Sequence, residues 1–110
     1  MIPRTIHPCI IESIKNKPVT LITGARQTGK TFLCRDIHET MGIDYVTLAD
    51  RQERELANKD PDAFLKIHGT PLIIDEVQKA KGLFDSIEAA VDKSLFERKE
   101  SKGMYILAGS

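Results

Sequence analysis

No run of apolar residues in this 110-residue chain approaches the roughly 20 needed to span a bilayer, so no transmembrane helix is expected. The N-terminus has no basic stretch leading into an apolar core, which argues against a secretory leader and for a cytoplasmic setting. Charge of one sign is also missing: 16 basic residues balance 16 acidic ones. No field therefore draws the whole chain to nucleic acid or to a membrane surface, although a local patch stays open. Cysteine is scarce. Cys9 and Cys34 lie far apart with no metal-like spacing, which reads as free, partly buried thiols in a reducing compartment. His7, His38 and His68 are scattered, and none pairs with another at ligand spacing. There is no internal repeat and no low-complexity tract.

What is present suits one globular domain with a modest core: 41% hydrophobic and 29% charged residues. Apolar segments of two kinds alternate. Residues 8–15 read as a short helix, with Pro8 in its first turn and Cys9, Ile10, Ile11 and Ile14 on its apolar side. Residues 19–23 are apolar and β-branched, as in a strand buried on both faces. A helix from Lys30 to about Thr40 carries Phe32, Leu33, Ile37 and Met41 at helical spacing, with Gly42 as its C-cap. Strands are expected at 45–48, 71–76 and 104–108. Charged residues 52–57 form a solvated helix, and Asp60-Pro61 starts another that runs to Ile67. Residues 82–94 form an amphipathic helix with Leu83, Phe84, Ile87, Ala90 and Val91 on one side, followed by a charged turn over 97–103. This alternation implies an α/β fold: a parallel sheet with helices on both faces and right-handed crossovers. Ligands of such sheets bind at the carboxyl ends of the strands.

One motif dominates. Gly24-Ala25-Arg26-Gln27-Thr28-Gly29-Lys30-Thr31 matches G-x-x-x-x-G-K-[ST] at every fixed position, between a strand and a helix as a phosphate loop requires. Gly24 and Gly29 allow the backbone to bend and turn its N–H groups toward phosphate oxygens. The following helix, from Lys30 on, aims its positive end at the same anion. Lys30 reaches the β- and γ-phosphates and Thr31 can ligate Mg²⁺. Arg26 occupies a variable position and either touches phosphate or faces solvent or an acid.

A second motif closes the third strand. Asp75 follows Leu72-Ile73-Ile74 as a Walker-B acid does and could hold Mg²⁺ opposite Thr31. Glu76, one residue on, is expected to point elsewhere and to polarise a water aligned on the γ-phosphate. Gln78 either helps place nucleotide or water, or is a polar residue at a helix start. Ser110, after the fourth strand, is either a polar sensor of the γ-phosphate or a turn serine. Thr23/Gly24, Asp75/Glu76 and Gly109/Ser110 all fall at strand ends, so the three polar sites are expected to converge.

Residues 22–33, 72–78 and 105–110 together resemble the AAA+-type prokaryotic P-loop ATPases, in the branch usually fused to a C-terminal nuclease-like domain. The resemblance implies a three-layer sandwich with sheet order 5-1-4-3-2, of which this chain holds strands 1-4-3-2. Residues 1–18 would be an N-terminal helix region and 19–110 the core from phosphate loop to sensor strand. It implies ATP and Mg²⁺ as ligands. Residues 24–32 would form the nucleotide cradle, Thr31 and Asp75 the metal contacts, and Lys30, Glu76 and Ser110 the catalytic set. Adenine is implied over guanine, and the guanine-reading N-K-x-D motif does not occur in the chain.

The family continues past residue 110 to a fifth strand and an arginine finger. A truncated core is therefore expected, with residues 19–23 as an exposed sheet edge that a second copy or a partner strand would cover. Nucleotide binding is expected to survive better than turnover, since a supplied finger is worth on the order of 10³–10⁵ in rate. The alternative to an ATPase is a non-hydrolysing, nucleotide-dependent binding module. A small-molecule kinase would need an acceptor pocket and a basic lid, which the sequence does not display.

Overall fold

A computed structural model describes residues 8–23, 27–97 and 102–109. The elements run α1 (Pro8–Asn16), β1 (Val19–Thr23), α2 (Gln27–Met41), β2 (Asp44–Thr47), α3 (Arg51–Lys59), α4 (Pro61–His68) and β3 (Leu72–Asp75). A 3₁₀ turn (Val77–Lys79), α5 (Gly82–Phe96) and β4 (Tyr105–Gly109) follow. The helix boundaries have local causes. Asp50 caps α3 by accepting from the Gln52 amide, and Asp60 caps α4 from the Ala63 amide with Pro61 in the first turn, as its sequence implies. Gly42, at φ 69°, turns the chain out of α2, and its N–H bonds the His38 carbonyl.

The four strands form one parallel sheet in the order β1-β4-β3-β2, the order the resemblance implies. Side chains alternate across it. Ile22, Ile73, Ile106 and Ala108 face α1 and α2, where Ile14, Cys34 and Ile37 close the layer. Val46, Leu72, Ile74 and Leu107 face α3, α4 and α5, where Ala57, Phe64, Leu83 and Ile87 pack. The result is a three-layer α/β/α sandwich with two separate apolar cores. β3 and β4 are buried along their whole length. Each fully buried Leu or Ile contributes about 1.5–3 kcal/mol relative to an exposed one.

Three expectations change. β1 is not buried on both faces: Thr20 and Ile22 are covered, but Leu21 is 61% exposed. β1 lies at the sheet edge, and α3, α4 and α5 cover the other strands on that face. Phe84 does not join the buried side of α5 but stands 42% exposed at its first turn, while Leu83 is fully buried. Cys34 is completely rather than partly buried.

Candidate functional site

The carboxyl ends of β1, β3 and β4 lie together: Thr23 pairs with Gly109, and Ile74 pairs with Leu107 two residues before β4 ends. α2 starts beside them, so Lys30 falls in its first turn. Helix geometry leaves the first amides of such a helix without intrahelical acceptors, and its dipole makes this end positive. Gly29 has open space around the position a Cβ would take.

Lys30 organises the site. Only 4% exposed, its ammonium stands 3.0 Å from Asp75 Oδ1 and donates to Glu76 Oε2 at 2.6 Å. Burial alone would lower the lysine pKa, but the hydrogen bonds to Glu76 and Asp75 outweigh it and raise the pKa above its ordinary value. The two acids reach one cation through a backbone bend. Consecutive strand residues point to opposite faces, so Glu76 would turn away if β3 continued. Instead Glu76 adopts φ 54° and ψ 41°, the left-handed region, which costs a non-glycine residue about 1–2 kcal/mol. Both carboxylates thus converge on Lys30, and Glu76 does not point elsewhere as its sequence position suggests.

Every carboxylate oxygen has a partner. Asp75 Oδ1 also accepts from the Glu76 amide at 2.8 Å, and Oδ2 accepts from the Tyr45 hydroxyl at 2.7 Å. Burial, then the bond to Asp75, pushes the Tyr45 phenol well above its ordinary range. Glu76 Oε1 accepts from Gln78 Nε2 at 2.7 Å. Hydrogen bonds from Lys30 and then Gln78 hold the Glu76 carboxyl below the usual range, against the opposing effect of burial. Beneath the site, burial and the nearby Asp75 charge push the Cys34 thiol up to about 12.

Of the residues the motifs single out, Lys30, Asp75 and Glu76 are joined directly. Thr31 and Phe32 sit exposed on the first turns of α2 next to Lys30. Gln27, Thr28 and Gly29 supply the start of that helix. Gly24, Ala25, Arg26 and Ser110 lie outside the described residues. Tyr45 was missed. No motif marks it, but it sits on the strand beside β3, in register with Ile73 and two positions from Asp75's neighbour Thr47. The Tyr45 hydroxyl finds its partner on the adjacent, acid-bearing strand.

The donor set suits a magnesium-bound triphosphate. One ammonium faces two carboxylates, which leaves an excess negative charge where a polyanion would sit, and a divalent cation reverses that balance. Asp75 and Thr31 offer hard oxygen donors. Among the described residues no cluster of three or more His, Cys, Asp or Glu could enclose a metal alone.

Among the described residues no helix is long and apolar enough to cross a membrane. Neither the curated proteins nor the solved structures match the chain significantly. The family profile described as AAA domain matches residues 16–110, from the end of α1 through β4. With its parallel 1-4-3-2 sheet and a lysine-bearing helix start beside an acid-tipped central strand, the chain belongs to the AAA domain family, a family of nucleotide-binding P-loop domains.

Proposed function

We propose that this chain binds ATP with Mg²⁺ at the carboxyl edge of its sheet and hydrolyses it. The observation that carries this reading is the buried Lys30 bridging Asp75 and Glu76. A lysine enclosed with two acids at a helix start is a charge poised to exchange its internal partners for phosphate oxygens. When the nucleotide arrives, the Lys30 ammonium moves to the β- and γ-phosphates, while the amides of residues 24–30 and the adjoining Thr31 and Phe32 cradle the chain of phosphates. Asp75, oriented by hydrogen bonds from Tyr45 and the Glu76 amide, would hold the cation together with Thr31. Mg²⁺, when bound, neutralises charge on the β- and γ-phosphate oxygens.

Release of Lys30 frees one oxygen of Glu76. That carboxylate then orients a water on the γ-phosphate and accepts its proton as the water oxygen bonds to phosphorus and the bond to the β–γ bridging oxygen breaks, the electron pair leaving with ADP. Ser110 would sense the γ-phosphate from the end of β4. The exposed β1 edge, with Leu21 outward, would take a second copy or a partner strand.

Calorimetric titration of Mg·ATP into the chain, beside Lys30→Ala, tests the reading. Binding by the wild type that is lost in Lys30→Ala is expected. Glu76→Gln should still bind but release no phosphate. Equal binding by wild type and Lys30→Ala would overturn the site. Binding without turnover by the wild type would leave a nucleotide-dependent binding module.

A further inference from the structure

Gln78 has a bonding pattern that a merely solvated turn residue does not need. A carboxylate only accepts, so the hydrogen bond to Glu76 requires the Gln78 NH₂ to face it. The amide oxygen is then turned the other way, where it is buried and has no hydrogen-bond partner among the described residues. Buried acceptors without donors are rare in folded proteins.

The seat of this side chain is specific. A Cβ on Gly109 would lie 2.6 Å from Gln78 Oε1, closer than real Cβ atoms come to anything. Gly109 is not among the glycines with positive φ, so what a side chain there would disturb is the Gln78 amide, which it would push aside, rather than the backbone. The turn that carries Gln78 is braced. Val77 is 2% exposed, the Lys79 amide bonds the Glu76 carbonyl at 3.1 Å, and Asn58 donates to the Lys79 carbonyl at 3.1 Å.

We propose that Gln78 is a positioning residue: seated against Gly109, with its NH₂ donating to Glu76 Oε1, it fixes the direction in which the Glu76 carboxylate presents its other oxygen to the water it orients. This deepens the hydrolytic reading and rests on it.

The test measures kcat for Mg·ATP hydrolysis and the Mg·ATP dissociation constant in wild type, Gln78→Ala, Gln78→Met, Gly109→Ala and the Gln78→Ala/Gly109→Ala double variant. Gln78→Met keeps the bulk without donor or acceptor. Misplacing a reacting group by about 1 Å can cost on the order of a hundredfold. Both Gln78 variants should therefore lose roughly ten- to a hundredfold in kcat while the dissociation constant stays within about twofold. Gly109→Ala should lower kcat in the wild-type background and change nothing further once Gln78 is alanine. Wild-type kcat in Gln78→Met, or losses that multiply in the double variant, would overturn the proposal. If Gly109→Ala fails to fold, the two Gln78 variants decide.

The side-chain amide resonances of Gln78 in ¹⁵N-labelled, nucleotide-free protein separate this from the hydrolytic reading. A downfield-shifted NH₂ proton that returns to the free-glutamine position in Glu76→Ala supports the clamp even if the wild type binds ATP without turnover. A free-glutamine signal in the wild type overturns it.

Discussion

β1 and β3 look alike in sequence, each a short apolar run ending in residues of a phosphate motif, yet the fold treats them differently. In β3, Leu72, Ile73 and Ile74 are fully buried and Asp75 is 3% exposed. In β1, Leu21 pairs with Leu107 in register, but Leu107 is 3% exposed where Leu21 is 61%. The difference is position: β3 has strands on both sides and helices on both faces, whereas β1 lies at an edge. An acid needs the first environment to act. Asp75 can be aimed by Tyr45 and Lys30 only because β2 and α2 close around the end of β3.

The sharpest way to break this comparison is Ile73→Ala. It removes a side chain at the centre of the core shared with Ile106 and Ile37. Chemical denaturation should show a loss of about 2–5 kcal/mol. A loss below about 1 kcal/mol would mean that β3 is no better packed than β1.

Lys30→Met probes the charged end of β3. It leaves two largely buried carboxylates facing each other, for an expected loss of roughly 3 kcal/mol at neutral pH. The pH dependence has two limbs. Glu76 is held below its ordinary 4.5, so its contribution is present above that pH and fades as pH falls through its folded value. Lys30 is raised above its ordinary 10.5, so its contribution is complete below that pH and fades as pH rises through its folded value. In the wild type this contribution should therefore be constant between about pH 5 and pH 10 and fade beyond either limit, whereas in Lys30→Met the facing carboxylates repel, so the gap in urea unfolding should narrow as pH falls below neutral and one of them takes up a proton. A gap that stays the same down to pH 5 would assign the stabilisation to other groups.

The contrast also separates what the sequence makes legible from what it does not. Strand and helix order, the caps at Asp60 and Gly42, and the approach of Lys30 to Asp75 follow from local pattern and from where parallel strands end. Strand burial does not, because alternation says which residues share a face and nothing about whether a helix covers it. That is why Leu21 and Phe84 read as core. The bend at Glu76 is illegible for another reason: a non-glycine residue with positive φ is imposed by its surroundings, here the pull of Lys30 and Gln78 on one carboxylate. Tyr45 depends on strand order, which no local pattern contains.

Tyr45→Phe is a smaller perturbation of the same end. It strips one donor from Asp75 Oδ2 and leaves the Lys30 contact in place. Thermal melts should show a loss of about 1–2 kcal/mol. No loss would mean that water replaces the hydroxyl and that β2 does not help orient the acid.

The smallest effect on stability belongs to Leu21→Lys. With 61% of Leu21 already exposed, folding gains little from it, and the change should stay within about 0.5 kcal/mol. Association should respond far more. A β-strand at a sheet edge presents unpaired amides and carbonyls beside an apolar side chain, and a lysine there is a recognised barrier to pairing with another chain. Light scattering over a concentration series should show self-association in the wild type and a shift toward monomer in Leu21→Lys. Monodisperse monomer in both would mean that the β1 edge, unlike the end of β3, has no binding role in this chain. Loss of folding in Leu21→Lys would mean that the outer face of β1 is covered in solution and that the two strands are more alike than their exposures suggest.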